Sequence, residues 1–370
     1  MKIVHFITGL NTGGAEMMLY KFLNNYEKFN NKHLVVCLLS SKGTIGPKIE
    51  KLGVEVINIG LNSIFKINLF QTYKKINKFK PDILQGWMYH ANFIMSFFHL
   101  LLPKTKMFWG IRQTLYDINK EKINTRIIIY LSILFIPRVN KIFFNSNISM
   151  EQHINIGYFK KKCIFIPNGF EINPSEYLNK DRNRILFRKE ININSKAIIV
   201  GLVARFHPMK GHMIFIKSGL EILKEHNDIQ FLCVGFKVAD SNLKNNIPKK
   251  YIKNFTFLDE KKNINQIYAS IDIAVNSSIR GEGFSNAICE AMLMALPCVA
   301  TKVGEAENIL ENDYIALQNN IDSLRNKIID LIVKTKYQRE QIGIKNRQSI
   351  VGRFNIIKVL NIYKQEYSRF

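Results

Sequence analysis

Two glutamates with seven residues between them, Glu282 and Glu290, lie in the segment whose residue types are best suited to binding chemistry. The apolar run 271–276 indicates a buried strand, and Ser285 is expected to begin the helix that contains Glu290. A carboxylate in such an apolar helix needs hydrogen-bonding partners, because an unpaired buried charge is costly. Hydroxyl groups of a sugar or ribose would serve. The alternative is that Glu290 pairs with a structural Lys or Arg while Glu282 is solvated.

Two cations, Arg205 and Lys210, lie close together after another predicted strand, within the segment ARFHPMKGH at 204–212. In an open parallel sheet, ligands bind at the carboxyl ends of the strands, which is where this segment is expected to lie. Two neighbouring cations facing a binding crevice suit a diphosphate better than a surface salt bridge.

A glycine pair, Gly13 and Gly14, follows the first predicted strand and precedes a helix expected from about Met17. Glycines allow backbone N–H groups to approach a ligand closely, and a helix N-terminus favours an anion. The spacing is not that of a G-x-G-x-x-G dinucleotide fingerprint, so a tight turn without a ligand is the alternative.

These residues require a framework of parallel strands, and the chain has the alternation of strands and helices that predicts one. Predicted strands cover 3–8, 34–39, 54–59, 83–87, 107–111, 141–145 and 163–166, and then 197–204, 229–235, 255–258, 271–276, 298–301 and 314–317. A polar segment, 173–194, separates the two series. We therefore expect two Rossmann-like α/β domains, 1–172 and 173–352, followed by a C-terminal helix at 353–370.

Composition favours a globular protein with reduced thiols. Of the 370 residues, 47% are apolar and 11% aromatic, and the five cysteines show no CxxC spacing. We expect neither a disulfide framework nor a zinc site. The N-terminus lacks the features of a signal peptide, and the longest apolar runs, 93–103 and 127–137, are shorter than the roughly 20 residues of a membrane-spanning helix. The expected location is the cytoplasm.

The chain is strongly basic, with 53 Lys and Arg against 29 Asp and Glu and a net charge of +24. Such a charge attracts nucleic acid, anionic lipid or phosphorylated small molecules, although a bias in nucleotide composition would also enrich lysine. Five lysines accompany a helical apolar pattern at 66–80: Lys66, Lys74, Lys75, Lys78 and Lys80. This pattern suits an anionic membrane surface and equally an outer helix that covers a sheet.

In their order and spacing, these segments resemble the retaining glycosyltransferases of family 4. The segments that carry the resemblance are GGAE at 13–16, IPNG at 166–169, ARFHPMKGH at 204–212, the pair Glu282 and Glu290, and ATKVG at 300–304. The resemblance covers nearly the whole chain. It implies the GT-B fold, in which two Rossmann-like domains face each other across a cleft, with a C-terminal helix that crosses back to the N-terminal domain.

The resemblance also implies roles for the donor-side residues. Arg205 and Lys210 would hold the donor diphosphate and stabilise charge on the leaving group. Glu290 would bind the ribose and Glu282 the hydroxyls of the transferred sugar. Backbone groups would be presented to the donor by Gly13, Gly14, Gly283, Phe284, Ser285 and Asn286.

On the acceptor side, His90 follows the strand 83–87 and resembles a histidine that many family members carry near the reacting sugar. The alternative is a histidine that caps or packs on the next helix. Many relatives have a second histidine where this chain has Arg112, which predicts an acceptor subsite for an anionic group. The segment 305–308 departs from the family in being short and poor in glycine, which leaves sugar selection open.

The implied activity is transfer of a hexosyl or N-acetylhexosaminyl group from a nucleotide-diphosphate sugar, with a UDP-sugar expected, to a glycan or lipid-linked acceptor in bacterial surface polysaccharide synthesis. The expected enzyme needs no cofactor and no metal, and works in the cytoplasm or peripherally on the inner face of the membrane. One alternative is a sugar-nucleotide epimerase, or a sucrose- or trehalose-phosphate type of enzyme acting on soluble sugars. A nucleic-acid-binding protein is the other alternative, but the chain contains no recognisable nucleic-acid-binding motif.

Overall fold

The computed structural model describes residues 1–26, 31–62, 67–115, 118–261 and 263–370. The chain divides into two compact units, Met1–Glu171 with Phe354–Phe370, and Ile172–Arg353. Each unit contains one parallel sheet with helices between its strands.

The first unit has a seven-stranded sheet. Its strands are β1 (Lys2–Ile7), β2 (Lys32–Cys37), β3 (Glu55–Asn58), β4 (Ile83–Trp87), β5 (Lys106–Ile111), β6 (Lys141–Phe144) and β7 (Cys163–Phe165). Its helices are α1 (Gly14–Tyr26), α2 (Gly46–Glu50), α3 (Leu69–Phe79), α4 (Tyr89–Leu101), α5 (Ile123–Ser132) and α6 (Asn147–Asn155). The strand order is β3-β2-β1-β4-β5-β6-β7.

The second unit has a six-stranded sheet. Its helices are α7 (Pro174–Leu178), α8 (Lys180–Glu190), α9 (His212–Ile222), α10 (Ile264–Ser270), α11 (Asn286–Leu293), α12 (Ala306–Ile309), α13 (Ile321–Ile332) and α14 (Lys336–Arg353). Its strands are β8 (Ile199–Val203), β9 (Gln230–Val234), β10 (Phe255–Leu258), β11 (Ile273–Asn276), β12 (Cys298–Thr301) and β13 (Ile315–Ala316). The order β10-β9-β8-β11-β12-β13 is that of a Rossmann fold.

The strand order reverses once in each sheet, between β1 and β4 in the first and between β8 and β11 in the second. Neighbouring strands at such a point send their connections to opposite faces, which opens a crevice at their carboxyl ends. The loops after β8 and β11 carry Arg205, Lys210 and Glu282. The fold therefore brings the candidate residues of the second unit to the place where ligands bind in sheets of this type.

A last helix, α15 (Ile356–Ser368), belongs to the first unit although the chain reaches it after the second. Tyr363 packs edge to face against Phe22, with ring centroids 5.3 Å apart. One turn later, the hydroxyl of Tyr367 donates a hydrogen bond to Gln85 Oε1 at 2.9 Å. Tyr363 and Tyr367 thus lie on the face that α15 buries within the first unit.

All thirteen predicted strands are present, with ends that shift by one or two residues. The edge strand β13 is shorter than predicted because the N–H of Leu317 leaves the sheet and donates to Ser323 Oγ at 2.8 Å. The polar segment 173–194 forms two helices, α7 and α8, which the sequence did not predict. The second is held by Arg188, a fully buried guanidinium that pairs with Asp272 at 2.6 Å.

Residues 69–79 of the basic segment form α3, whose inner side buries Thr72 and Ile76. The helix therefore covers the sheet, while Phe70 on its outer side is 66% exposed. Lys66 lies outside the described residues. The two long apolar runs fall in α4 and in α5 with its continuation. None of the helices within the described ranges is long and apolar enough to cross a membrane.

His153 on α6 predicts how stability responds to acid. Its Nδ1 lies 2.6 Å from the carbonyl oxygen of Ser149, which can only accept, so Nε2 accepts from the hydroxyl of Tyr89 at 3.0 Å. Burial lowers the pKa of His153 from 6.5 to about 4. The unfolded chain therefore binds a proton at His153 at a higher pH than the folded chain does. The stability that the neutral, buried His153 contributes is complete above pH 6.5 and is lost as the pH falls towards 4.

We expect the free energy of unfolding to fall by up to about 3 kcal/mol over this range because of His153. His153→Gln keeps one donor and one acceptor but does not titrate, so its stability should depend less steeply on pH between about 4 and 6.5. Urea unfolding of both proteins across this range measures the difference. Parallel curves would show that His153 does not titrate on unfolding.

Candidate functional site

The loops after β8 and β11 are joined by hydrogen bonds to the backbone of the first loop. Ser277 Oγ donates to the carbonyl of Lys210 at 3.0 Å, and the N–H of Ile279 donates to the carbonyl of Met209 at 2.8 Å. Between them Gly211 has φ +66°, and a Cβ at this position would lie 1.9 Å from the carbonyl oxygen of Ser277. Only glycine permits this approach, so Gly211 sets how closely the two loops meet.

This junction brings Lys210 onto Glu282. Lys210 Nζ and Glu282 Oε2 form a close ion pair, and Ser278 Oγ donates to the same carboxylate oxygen at 3.0 Å. The side chains are 24% and 12% exposed, respectively. The alternative that Glu282 is solvated is wrong, and its contact with the transferred sugar remains a prediction. Lys210 therefore already has a counter-ion within the protein, the carboxylate of Glu282.

Further positive charge surrounds this pair. Arg205 and Arg280 are exposed, each in one of the two loops. The pKa of His207 lies below its usual value because of burial first and then the nearby charges of Arg205, Lys210 and Arg280. The two loops therefore form a cationic surface suited to an anion of more than one charge. Arg280 was not among the predicted site residues, although it lies two residues before Glu282.

The N-terminus of α11 faces the same loop. Ser285 is its N-cap, with its side chain accepting from the N–H of Ile288, and its hydroxyl is held by Asn276 Nδ2 at 2.8 Å. The turn before it is fixed by the loop after β12, since the N–H of Glu305 donates to the carbonyl of Gly283 at 2.9 Å. Phe284 is buried and anchors the turn, while Asn286 is the first helical residue. Backbone N–H groups at such a helix start favour a bound anion.

Glu290 lies on α11, about a turn and a half from its start. Its Oε2 accepts a hydrogen bond from the hydroxyl of Tyr268 at 3.2 Å, and the same hydroxyl lies 3.1 Å from the carbonyl of Ala287. Burial, followed by the charge of Glu290, raises the pKa of Tyr268 well above its usual value. Tyr268 therefore stays a neutral donor that orients Glu290, a partner that the sequence did not identify.

In the first unit, Gly13 and Gly14 form the start of α1, three residues earlier than predicted. The carbonyl of Gly13 accepts from the N–H of Met17 at 2.9 Å. A Cβ at Gly13 would lie 2.3 Å from Glu16 Oε2, so this carboxylate folds back over the glycine. The glycine pair is thus a helix N-terminus as well as a turn, and its predicted contact with the donor remains a prediction.

His90 is the second residue of α4, directly beyond the carboxyl end of β4. The preceding turn contains Met88 at φ +74°, whose N–H donates to the carbonyl of Gly110 at 2.8 Å. Burial lowers the pKa of His90 below its usual value, which favours a neutral imidazole at pH 7. Its predicted role near the reacting sugar remains a prediction.

Arg112 is fastened within the first unit. Its guanidinium donates to Asn168 Oδ1 and, at 2.8 Å, to the hydroxyl of Tyr363 on α15. It also lies over the ring of Trp87, 5.0 Å from the ring centroid. These contacts tie the end of β5 to the loop after β7 and to the last helix. Binding of an anionic acceptor group by Arg112 remains a prediction. It requires the guanidinium to contact the acceptor in addition to Asn168, Tyr363 and Trp87.

Gly211→Ala tests the junction of the two loops. The added methyl would meet the Ser277 carbonyl in a backbone conformation already strained for alanine, so we expect a loss of about 2–4 kcal/mol in the free energy of unfolding. Gly352→Ala is the matched control, because no atom lies within 4 Å of a Cβ there. Urea unfolding compares them. Equal stability of the two variants would contradict the proposed constraint.

Comparisons with known proteins agree with this arrangement. Residues 197–334, which include both loops, match the family model described as "Glycosyl transferases group 1". Protein CapJ of Staphylococcus aureus is 26% identical over 202 residues, which is 53% of this chain and 50% of CapJ. The UDP-Gal:alpha-D-GlcNAc-diphosphoundecaprenol alpha-1,3-galactosyltransferase of Escherichia coli is 26% identical over 219 residues, 56% of this chain and 54% of that enzyme. The chain thus matches about half the length of these curated relatives.

Among solved structures, Anabaena Alr3699/HepE in complex with UDP superposes with a TM-score of 0.83 at 19% identity, covering 100% of both chains. This likeness confirms the predicted fold, two Rossmann-like domains of the GT-B class. The family match lies in the second unit and contains Arg205, Lys210, Glu282 and Glu290. Residues 197–334 of this chain therefore match a domain described as "Glycosyl transferases group 1".

Proposed function

We propose that this chain is a retaining glycosyltransferase that moves a sugar from a nucleotide-diphosphate sugar to a glycan or lipid-linked acceptor. The observation that carries the proposal is the junction of the loops after β8 and β11, which collects Arg205, Lys210 and Arg280 beside the N-terminus of α11. Three cations and a helix start match the charge and shape of a diphosphate.

The donor is proposed to be a UDP-sugar. HepE, which shares the fold, has been crystallised with UDP and with UDP-glucose. In this chain Glu290, oriented by Tyr268, would accept hydrogen bonds from the ribose hydroxyls, since a carboxylate accepts and never donates when ionised. Gly283, Phe284, Ser285 and Asn286 would present backbone groups to the phosphates and the sugar.

In the reaction, the bond between the sugar and the diphosphate breaks and the leaving diphosphate gains negative charge. Arg205 and Lys210 would stabilise this charge, which is greater in the transition state than in the bound donor, so the stabilisation lowers the barrier. The acceptor hydroxyl would attack from the same face and pass its proton to the leaving diphosphate, so the anomeric configuration is retained. These cations supply the positive charge that the step needs, and no metal is part of the proposal.

The ion pair between Lys210 and Glu282 adds a step to donor binding. Lys210 must turn from Glu282 to the diphosphate, which leaves the Glu282 carboxylate next to the sugar with Ser278 as a donor. A carboxylate at that place can accept hydrogen bonds from sugar hydroxyls. The internal pair would thus hold both residues in position until the donor replaces it.

The acceptor and the place of action complete the proposal. The E. coli relative is named for transfer to a diphosphoundecaprenol-linked sugar, which supports a lipid-linked acceptor in surface polysaccharide synthesis. His90 and Arg112 of the first unit would bind the acceptor side, with His90 neutral and able to donate or accept. The proposed location is the cytoplasm, with peripheral contact to an anionic membrane on its inner face.

A panel of nucleotide-sugars tests the function directly. One UDP-sugar should raise the melting temperature and transfer its sugar to a lipid-linked acceptor, with the donor's anomeric configuration kept in the product as judged by NMR. The assay contains EDTA, and activity should persist. Release of free sugar or an epimerised nucleotide-sugar without transfer would favour the epimerase alternative, and inversion at the anomeric carbon would contradict retention.

Variants at the ion pair separate binding from chemistry. Lys210→Met should weaken UDP binding by about a hundredfold, because a charge-assisted contact to the diphosphate is lost. Glu282→Gln should bind UDP as well as the wild type or up to about tenfold tighter, because Lys210 loses its competing partner, while its transfer rate falls.

Lys224→Ala is the matched control, since Lys224 pairs with Glu221 in an exposed ion pair of the same unit. Calorimetry with UDP and the transfer assay give the two readouts. Weaker UDP binding by Glu282→Gln would contradict competition for Lys210, and wild-type turnover by Lys210→Met would remove Lys210 from the site.

A further inference from the structure

The helix α5 exposes an apolar stripe on its outer side. Ile123, Ile127 and Tyr130 are 70%, 51% and 47% exposed. At 100° per residue their positions fall within an arc of about 60° on one side of the helix. The chain stays helical beyond Ser132 into the 3-10 segment Ile133–Arg138, where Leu134, 70% exposed, extends the stripe. The inner side of α5 is apolar too, and Ile129 is fully buried.

The neighbouring helix α4 widens this surface. Phe97 and Leu101 are 46% and 60% exposed, although both belong to a helix that covers the sheet. Phe97 packs edge to face against Phe135 of the 3-10 segment, with ring centroids 5.2 Å apart, so the outer sides of the two helices adjoin. We call Phe97, Leu101, Ile123, Ile127, Tyr130 and Leu134 the α4–α5 face. Contiguous exposed apolar surface of this kind marks an interaction site.

Within the two segments that form the face, every Lys, Arg, Asp and Glu position is a Lys or Arg. The segments 89–104 and 122–138 contain no Asp or Glu, and they carry Lys104, Lys122, Arg126 and Arg138. Lys104, Lys122 and Arg138 are exposed. Apolar and aromatic side chains ringed by cations suit the boundary between headgroups and acyl chains of an anionic bilayer. A second copy of this chain is a poorer occupant, because each copy has a net charge of +24.

We infer that the α4–α5 face is the surface by which the first unit binds an anionic membrane. The inference rests on the proposed membrane contact and is independent of the proposed chemistry. It assigns the contact to α4 and α5 rather than to α3, two of whose lysines are already engaged: Lys75 pairs with Glu55, and Lys74 lies over the ring of Phe70. No bilayer crossing is involved. The side chains would enter only the interfacial region.

Cosedimentation of the full chain with phospholipid vesicles tests the inference. The wild type should bind vesicles of phosphatidylcholine with phosphatidylglycerol and bind pure phosphatidylcholine weakly. The triple variant Ile123→Gln, Ile127→Gln, Leu134→Gln should bind the anionic vesicles at least about tenfold more weakly, because three apolar side chains no longer enter the bilayer. Glutamine favours helix, so α5 should persist.

The matched control replaces three apolar residues of the second unit that are 79%, 65% and 66% exposed: Leu178→Gln, Ile185→Gln and Val333→Gln. It should bind vesicles like the wild type. Both triple variants should have the wild-type melting temperature. UDP should raise it as it does for the wild type, and this increase reports on the second unit separately. If the wild type did not bind UDP, the proposed function would be contradicted, whereas the result of the vesicle assay would still hold.

Three outcomes would overturn the inference. The first is equal vesicle binding by the face variant and the wild type, and the second is an equal loss in the control. The third is no binding of the wild type to anionic vesicles. If the third came with a dimer, seen by light scattering, that the face variant converts to a monomer, the occupant of the face would be a second copy of the chain.

Discussion

The close approach of two loops at Gly211 is the constraint on which the candidate site depends. Lys210 and Glu282 are 72 residues apart in the chain, and they meet because the loops after β8 and β11 are hydrogen-bonded backbone to backbone. The parallel pairing of β8 with β11 puts both loops at the same edge of the sheet. The geometry of the ion pair thus follows from the strand order. The alternation of short apolar strands with helices accounts for the parallel sheet in which that order is realised.

Most of the site's electrostatics follow from this approach. The free-energy cost of partly burying a cation is lower when a carboxylate at the same junction pairs with it than when the cation is alone. Arg205 and Arg280 add further exposed positive charge at the same junction. On the far side of the same turn, Ser285 and Asn276 fix the start of α11, and Tyr268 fixes Glu290. Asn276 and Tyr268 thus position proposed ligand residues without having a proposed ligand role themselves.

The sequence predicted the strands and singled out the candidate binding residues, because alternation, Gly-rich turns and charged residues after strands are local signals. It did not predict what depends on distant pairing. The contact between Lys210 and Glu282, the support of Glu290 by Tyr268 and the anchoring of Arg112 by Tyr363 each join residues from different elements. The outward stripe of α5 was also missed, because a helix that is apolar all round does not reveal which side stays exposed.

The central claim is that the loops after β8 and β11 form the diphosphate site and that Lys210 leaves Glu282 to bind it. A crystal structure of the chain with UDP tests this most directly. We expect Lys210 Nζ and Arg205 to contact diphosphate oxygens beside the start of α11, with the Lys210–Glu282 ion pair opened and Glu290 bound to the ribose. A diphosphate bound elsewhere, with that ion pair intact, would contradict it.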